Sequence, residues 1–176
     1  MPSPGPIPRP PGGEIGRPPG PYARYLDPLQ QISLRRGHLG WGGVEVGMSF
    51  REAERAIGQR LPGLAGAAPD VLCGYSSVET AVLRQRLRLE FDTQSGESRL
   101  KAIWLPLANP ADEPSRLDIV RALKARFPDL RYVPSPFAKD LAESVNPRPL
   151  YRLGKDGPFF FVDPRQGVYF GEICID

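Results

Sequence analysis

Few side chains in this sequence are equipped for catalysis. His38 is its only histidine, so a histidine-dependent triad or an imidazole-rich metal centre would have to be assembled around it. It stands in the turn-rich run Arg36-Gly37-His38-Leu39-Gly40, where a solvent-exposed or capping role is expected. Cys73 and Cys174 lie in apolar, strand-like stretches without CxxC spacing, which suits buried thiols rather than a thiolate metal site. Cys73 as a nucleophile partnered by His38 has the right residue types, yet nothing in the sequence brings the two together. Glu90 and Asp92, two apart on a predicted strand, share a face as paired catalytic carboxylates must, but the arginines around them make cross-strand ion pairing the expected role. There is no P-loop, no dinucleotide-binding glycine fingerprint and no zinc spacing. The expectation is therefore no catalytic set, no metal and no cofactor.

The other chemistry in the chain is that of recognition. Arg84, Arg86 and Arg88 are spaced two apart in a segment of strand periodicity, so they are expected to point the same way. One role for such a row is a solvated outer face, and the other is a surface that meets a complementary partner. Near the C-terminus, Phe159-Phe160-Phe161 must place neighbouring rings on opposite faces of a strand. If an outward ring joins Tyr169, the patch would mark a protein interface. Arg84, Arg86, Arg88 and Tyr169 are the candidate partner-binding residues.

The elements that must position these residues can be placed by their start and stop signals. Met1 to Pro28 contains ten prolines and few large apolar residues, so residues 1–28 are expected to form a disordered tail. Residues 29–176 are expected to form one domain, with degenerate halves 29–108 and 114–176 as a further possibility. Gln31 to Leu34 suits a short strand. Ser49 with Glu52 forms a capping box for a helix ending at Ile57 and Gly58. Val82 to Asp92 alternates with period two, placing Leu83, Leu87, Leu89 and Phe91 on one face, and pairs through a polar turn with Leu100–Leu105. A second helix is expected from Ser115 to Phe127 and a third after Ser135-Pro136 to about Val145. Leu150–Leu153, Phe159–Val162 and Val168–Ile175 complete a meander. The expected class is α+β, an antiparallel sheet with about three short helices packed on one face.

Composition narrows the partners. A net charge of +3 spread along the chain is not the concentrated basic patch that phosphate-backbone binding needs, so nucleic acid is not expected. No apolar run approaches the ~20 residues that span a bilayer, and the N-terminus has no charged and apolar leader, so the expected location is cytoplasmic with no membrane contact. Arginine outnumbers lysine, which a GC-rich genome produces without any selection for recognition.

The run Val44-Glu45-Val46-Gly47-Met48-Ser49-Phe50, continuing through a short helix to Ile57-Gly58, resembles a signature of strand, Gly-Met-Ser/Thr, amphipathic helix and Leu/Ile-Gly. That signature is similar to those of the small lipoproteins of the β-barrel assembly machinery, the β-lactamase inhibitor proteins and bacterial immunity-like proteins. The resemblance implies a non-enzymatic, protein-binding module of helix-plus-antiparallel-sheet form. A lipoprotein would carry a lipidated cysteine near its N-terminus and a secreted inhibitor an export signal. The expectation is accordingly a cytoplasmic immunity-like protein that neutralises a toxin domain by direct binding. The competing class is a small-molecule-binding or hydrolytic enzyme with an unrecognised site. Oligomeric state is left open by the sequence.

Overall fold

A computed structural model describes residues 26–64, 74–93, 96–107, 116–133, 150–163 and 167–172. The chain first builds a small antiparallel sheet from β1 (Ile32–Arg35), β2 (His38–Trp41) and β3 (Val44–Glu45). Its two connections are two-residue turns, Arg36-Gly37 and Gly42-Gly43, with positive φ at all four positions. That is the signature of the type I′ hairpin, whose twist matches that of the strands it joins, and glycine is its ordinary occupant. A 3-10 turn at Asp27–Gln31 leads into this sheet and is tied to it by Trp41, whose Nε1 donates to the Pro28 carbonyl at 2.7 Å.

Helix α1 (Phe50–Ile57) begins as the capping box predicts. The Glu52 amide donates to Ser49 Oγ at 3.2 Å and the Ser49 amide to Glu52 Oε2 at 2.7 Å, while Gly58 closes the helix at φ 75°. The bond from the Ser49 amide holds the Glu52 carboxyl below the usual glutamate range. The preceding Gly47-Met48 has a second task. The Gly47 amide donates to the Leu100 carbonyl, and the Leu100 amide to the Met48 carbonyl, both at 2.7 Å, so this segment fastens the small sheet to the large one.

The large sheet has seven antiparallel strands in the order β4-β5-β6-β10-β9-β8-β7: β4 (Tyr75–Val82), β5 (Gln85–Asp92), β6 (Arg99–Pro106), β7 (Leu130–Val133), β8 (Leu150–Leu153), β9 (Phe159–Asp163) and β10 (Gly167–Gly171). It consists of two meanders joined along their final strands, β6 and β10. Helix α2 (Arg116–Arg126) carries the chain from one meander to the other. Phe50 of α1 packs on Phe91, with ring centroids 5.2 Å apart, and Phe127, just after α2, packs on Phe160 at 5.5 Å. One hydrophobic core takes in both sheets and both helices, with Leu89, Ile103, Phe160 and Phe170 fully buried along the inner face of the large sheet.

This corrects the expected class. The described chain is mostly strand, in two antiparallel sheets with two α-helices, rather than one sheet carrying three helices. The third expected helix, at Ser135 to Val145, lies outside the described residues, as do both cysteines and most of the proline-rich segment. The expectation also omits β7; of the strands it omits, β4 and β2 have a visible physical reason. In β4 the buried position Ser76 is polar, which breaks the alternation. In β2 the glycine that suggests a turn is needed inside a strand, because a Cβ on Gly40 would lie 2.4 Å from the Val44 carbonyl oxygen. The segment read as one strand from Val82 to Asp92 is instead a hairpin end: Val82 pairs with Gln85 across the turn Leu83-Arg84.

Candidate partner-binding face

On β5 the odd positions Leu87, Leu89 and Phe91 are buried in the core, so Arg86, Arg88 and Glu90 point to the opposite, outer face of the large sheet. Sheet register then decides what stands beside them. Arg88 pairs with Trp104 on β6, Trp104 with Tyr169 on β10, and Tyr169 with Phe161 on β9. The row across four strands is thus arginine, tryptophan, tyrosine, phenylalanine. The Arg88 guanidinium lies 5.2 Å from the Trp104 ring centroid, and the Trp104 and Tyr169 rings are 5.8 Å apart. All four residues are half-buried.

Beneath this row sits Glu90, a carboxylate only 5% exposed. The Tyr169 hydroxyl donates to Glu90 Oε2. Arg88 Nε lies 3.3 Å from Glu90 Oε1 without the alignment of a hydrogen bond, so its contribution there is electrostatic. Burial, reinforced by the Glu90 charge and its hydrogen bond, pushes the Tyr169 hydroxyl far above the ordinary tyrosine range. At the end of the same face Lys101 Nζ meets Glu172 Oε2 at 2.8 Å, a bond that raises the lysine.

The raised Tyr169 hydroxyl makes the stability of the fold depend on alkaline pH. A tyrosine held neutral in the fold stabilises it fully below the ordinary tyrosine range, and the stabilisation is lost as pH rises above about 10, because the unfolded chain then releases a proton that the folded chain keeps. Tyr169→Phe is expected to cost about 1–2 kcal/mol near neutrality, since Glu90 loses a donor while remaining buried. It should also flatten the fall in stability above about pH 10. Denaturant unfolding at pH 7 and at pH 10.5 checks both, and a wild-type alkaline limb unchanged by the substitution would dissociate Tyr169 from it.

Of the four residues singled out by sequence, the structure brings Arg88 and Tyr169 into one cluster. Arg86 faces the same way but is exposed and paired with Glu79 at 3.1 Å. Arg84 does not belong to the face at all, because it occupies the hairpin turn at φ 66°. Trp104 and Glu90 complete the cluster and were not singled out as binding residues. The signal for Trp104 was present in the alternation of Leu100–Leu105, which sets it opposite the core residues Ile103 and Leu105.

Away from this row, a concavity of about 650 Å³ opens between the β1–β2 turn and the β8–β9 connection. His38 lines it together with Asp129, Arg152, Asp156 and Glu172. Arg152 is already engaged, donating from Nε to the Gly157 carbonyl at 3.0 Å and lying 4.8 Å from the Phe159 ring centroid. Among the described residues no group of three or more histidine, cysteine, aspartate or glutamate side chains is arranged to hold a metal ion. Nor is any helix among them long and apolar enough to cross a membrane. Comparison of the chain with protein-family models, curated proteins and solved structures finds no match.

Proposed function

We propose that this chain is a non-enzymatic protein-binding module, acting in the cytoplasm as an immunity-like protein that holds a toxin domain by direct contact, and that the partner sits on the outer face of the large sheet. The observation that carries this reading is the row Arg88, Trp104, Tyr169. Arginine, tryptophan and tyrosine are the residue types in which binding energy concentrates at protein interfaces. Here they pack on one another across neighbouring strands and remain half-exposed. A side chain already packed on its neighbours loses little entropy on binding, which favours affinity.

The reading is tested by retrieval of a single tight partner from the native source by the tagged chain, followed by substitutions that spare the fold. Trp104→Ala removes the central ring, and Arg86→Glu reverses an exposed charge whose own ion pair is worth under about 1 kcal/mol. Arg88 is not suitable for reversal, because it is the cation beside buried Glu90. The expected result is an intact melting transition with at least tenfold weaker binding for Trp104→Ala. Recovery of the same protein with undiminished affinity would remove this face from the interface.

A further inference from the structure

Among the described residues, three two-residue hairpin turns have positive φ at both central positions. Two of them, Arg36-Gly37 and Gly42-Gly43, contain glycine where the left-handed conformation asks for it. The third, joining β4 to β5, is Leu83-Arg84, with φ 49° and 66° and no glycine. A branched leucine in this region is strained by the clash between its Cβ and the following carbonyl. The turn is nonetheless fixed on both sides. Gln59 Nε2 donates to Thr80 Oγ1 at 2.8 Å and to the Ala81 carbonyl at 3.0 Å, and Gln85 Nε2 donates to the Pro106 carbonyl at 2.9 Å. The product of this strain is an apolar side chain held out into solvent: Leu83 is 75% exposed. Arg84 beside it is exposed and has no ion-pair partner among the described residues. Strained backbone that presents a side chain rather than burying it marks a working surface.

The cleft at the other end of β2 has the complementary form. Leu34, Val46 and Phe159 give it apolar lining, and Asp129, Asp156 and Glu172 are exposed at its rim. Glu172 is paired with Lys101, whereas neither Asp129 nor Asp156 has an ion-pair partner among the described residues. Its volume of about 650 Å³ readily admits a leucine side chain with room for the neighbouring turn. The tip lies against Gly42, where a Cβ would stand 3.9 Å from Leu83 Cδ1, and the cleft is lined by Gly37 and His38. Tip and cleft are therefore at opposite ends of β2, and one copy cannot fill its own cleft.

We infer that the Leu83-Arg84 tip of one copy docks in the cleft between the β1–β2 turn and the β8–β9 connection of a second copy, Leu83 on the apolar lining and Arg84 between Asp129 and Asp156. The inference does not rest on the proposed partner face, which lies on other residues. Such a contact joins two different surfaces, so it propagates head to tail instead of closing as a two-fold dimer.

Sedimentation of the full chain tests this directly. The weight-average mass is expected to rise with protein concentration up to about 1 mM, a range in which even weak contacts are populated, and to fall back with added salt as the Arg84 contribution is screened. The double variant Leu83→Asn, Arg84→Gly supplies the residues the turn prefers. It should melt several degrees higher than wild type while its self-association weakens at least tenfold. Asp129→Arg with Asp156→Arg should abolish association from the other side. Each variant alone is then monomeric, but mixing the two pairs an intact tip with an intact cleft and gives a one-to-one dimer that grows no further. A wild-type chain that stays monomeric throughout, a mixture that fails to pair, or a tip variant that associates like wild type would overturn the inference. A tip variant that loses association without melting higher would overturn the argument from strain.

Discussion

Gly171→Ala is expected to cost on the order of 3–6 kcal/mol, much of the stability of a typical domain, through strain and backbone overlap together. Gly171 lies in β10 at φ 131°, and a Cβ there would sit 2.4 Å from the Lys101 carbonyl oxygen and 2.9 Å from the Ala102 Cα. Both are backbone atoms of β6, so no side chain can swing aside, and relief requires the two central strands to part. Gly167, at the other end of β10, faces the Leu105 carbonyl oxygen in the same way, with 2.1 Å to a built Cβ. Gly58→Ala is the control. Its φ of 75° carries conformational cost, but nothing stands within 4 Å of the added carbon, so a loss of only about 1 kcal/mol is expected. Chemical denaturation of the two variants side by side measures the difference, and equal losses would mean that β10 has room beside β6.

Phe160→Ala is the second large effect, expected at about 3–5 kcal/mol. The ring is fully buried on β9, with its centroid 5.5 Å from that of Phe127 and 5.7 Å from that of Phe170. It is the point at which the segment after α2, β9 and β10 meet, so its removal opens a space walled by three separate elements that cannot collapse together. Phe159→Ala removes a neighbouring ring that is half-exposed on the outer face and should cost markedly less. Near-equal losses would contradict the assignment of inner and outer faces on β9.

How much of this was legible beforehand depends on how local the cause was. The capping box at Ser49 and the left-handed Gly58 depend on neighbours within four residues, and both are where the residue types place them. The alternation of Leu87, Leu89 and Phe91 likewise reports the burial of β5. Leu83 continues that alternation on paper, yet it is the most exposed large apolar side chain described, because the pairing of Val82 with Gln85 imposes a turn that leucine does not announce. Ser76 shows the converse, a polar residue accepted at a buried position of β4. The Arg88, Trp104 and Tyr169 cluster was half legible. Arg88 and Tyr169 each had a local signal, but their meeting on either side of Trp104 is a matter of register among β5, β6 and β10, which no local pattern contains.

The seam between β6 and β10 also sets an order of events in folding. β6 ends at Pro106 and β10 begins only at Gly167, so the pairing that unites the two meanders closes a long loop, and it is the slowest kind of contact to form. During synthesis the first meander emerges with one edge of β6, the Ala102 to Pro106 stretch that will face β10, unpaired until β10 leaves the ribosome. An eight-residue strand containing Ala102-Ile103-Trp104-Leu105 is then an open template for any other nascent strand. The glycines that let β10 lie so close to β6 thus act as a latch on a temporarily exposed edge, and the yield of native protein in the cell should depend on how quickly that latch is delivered and protected.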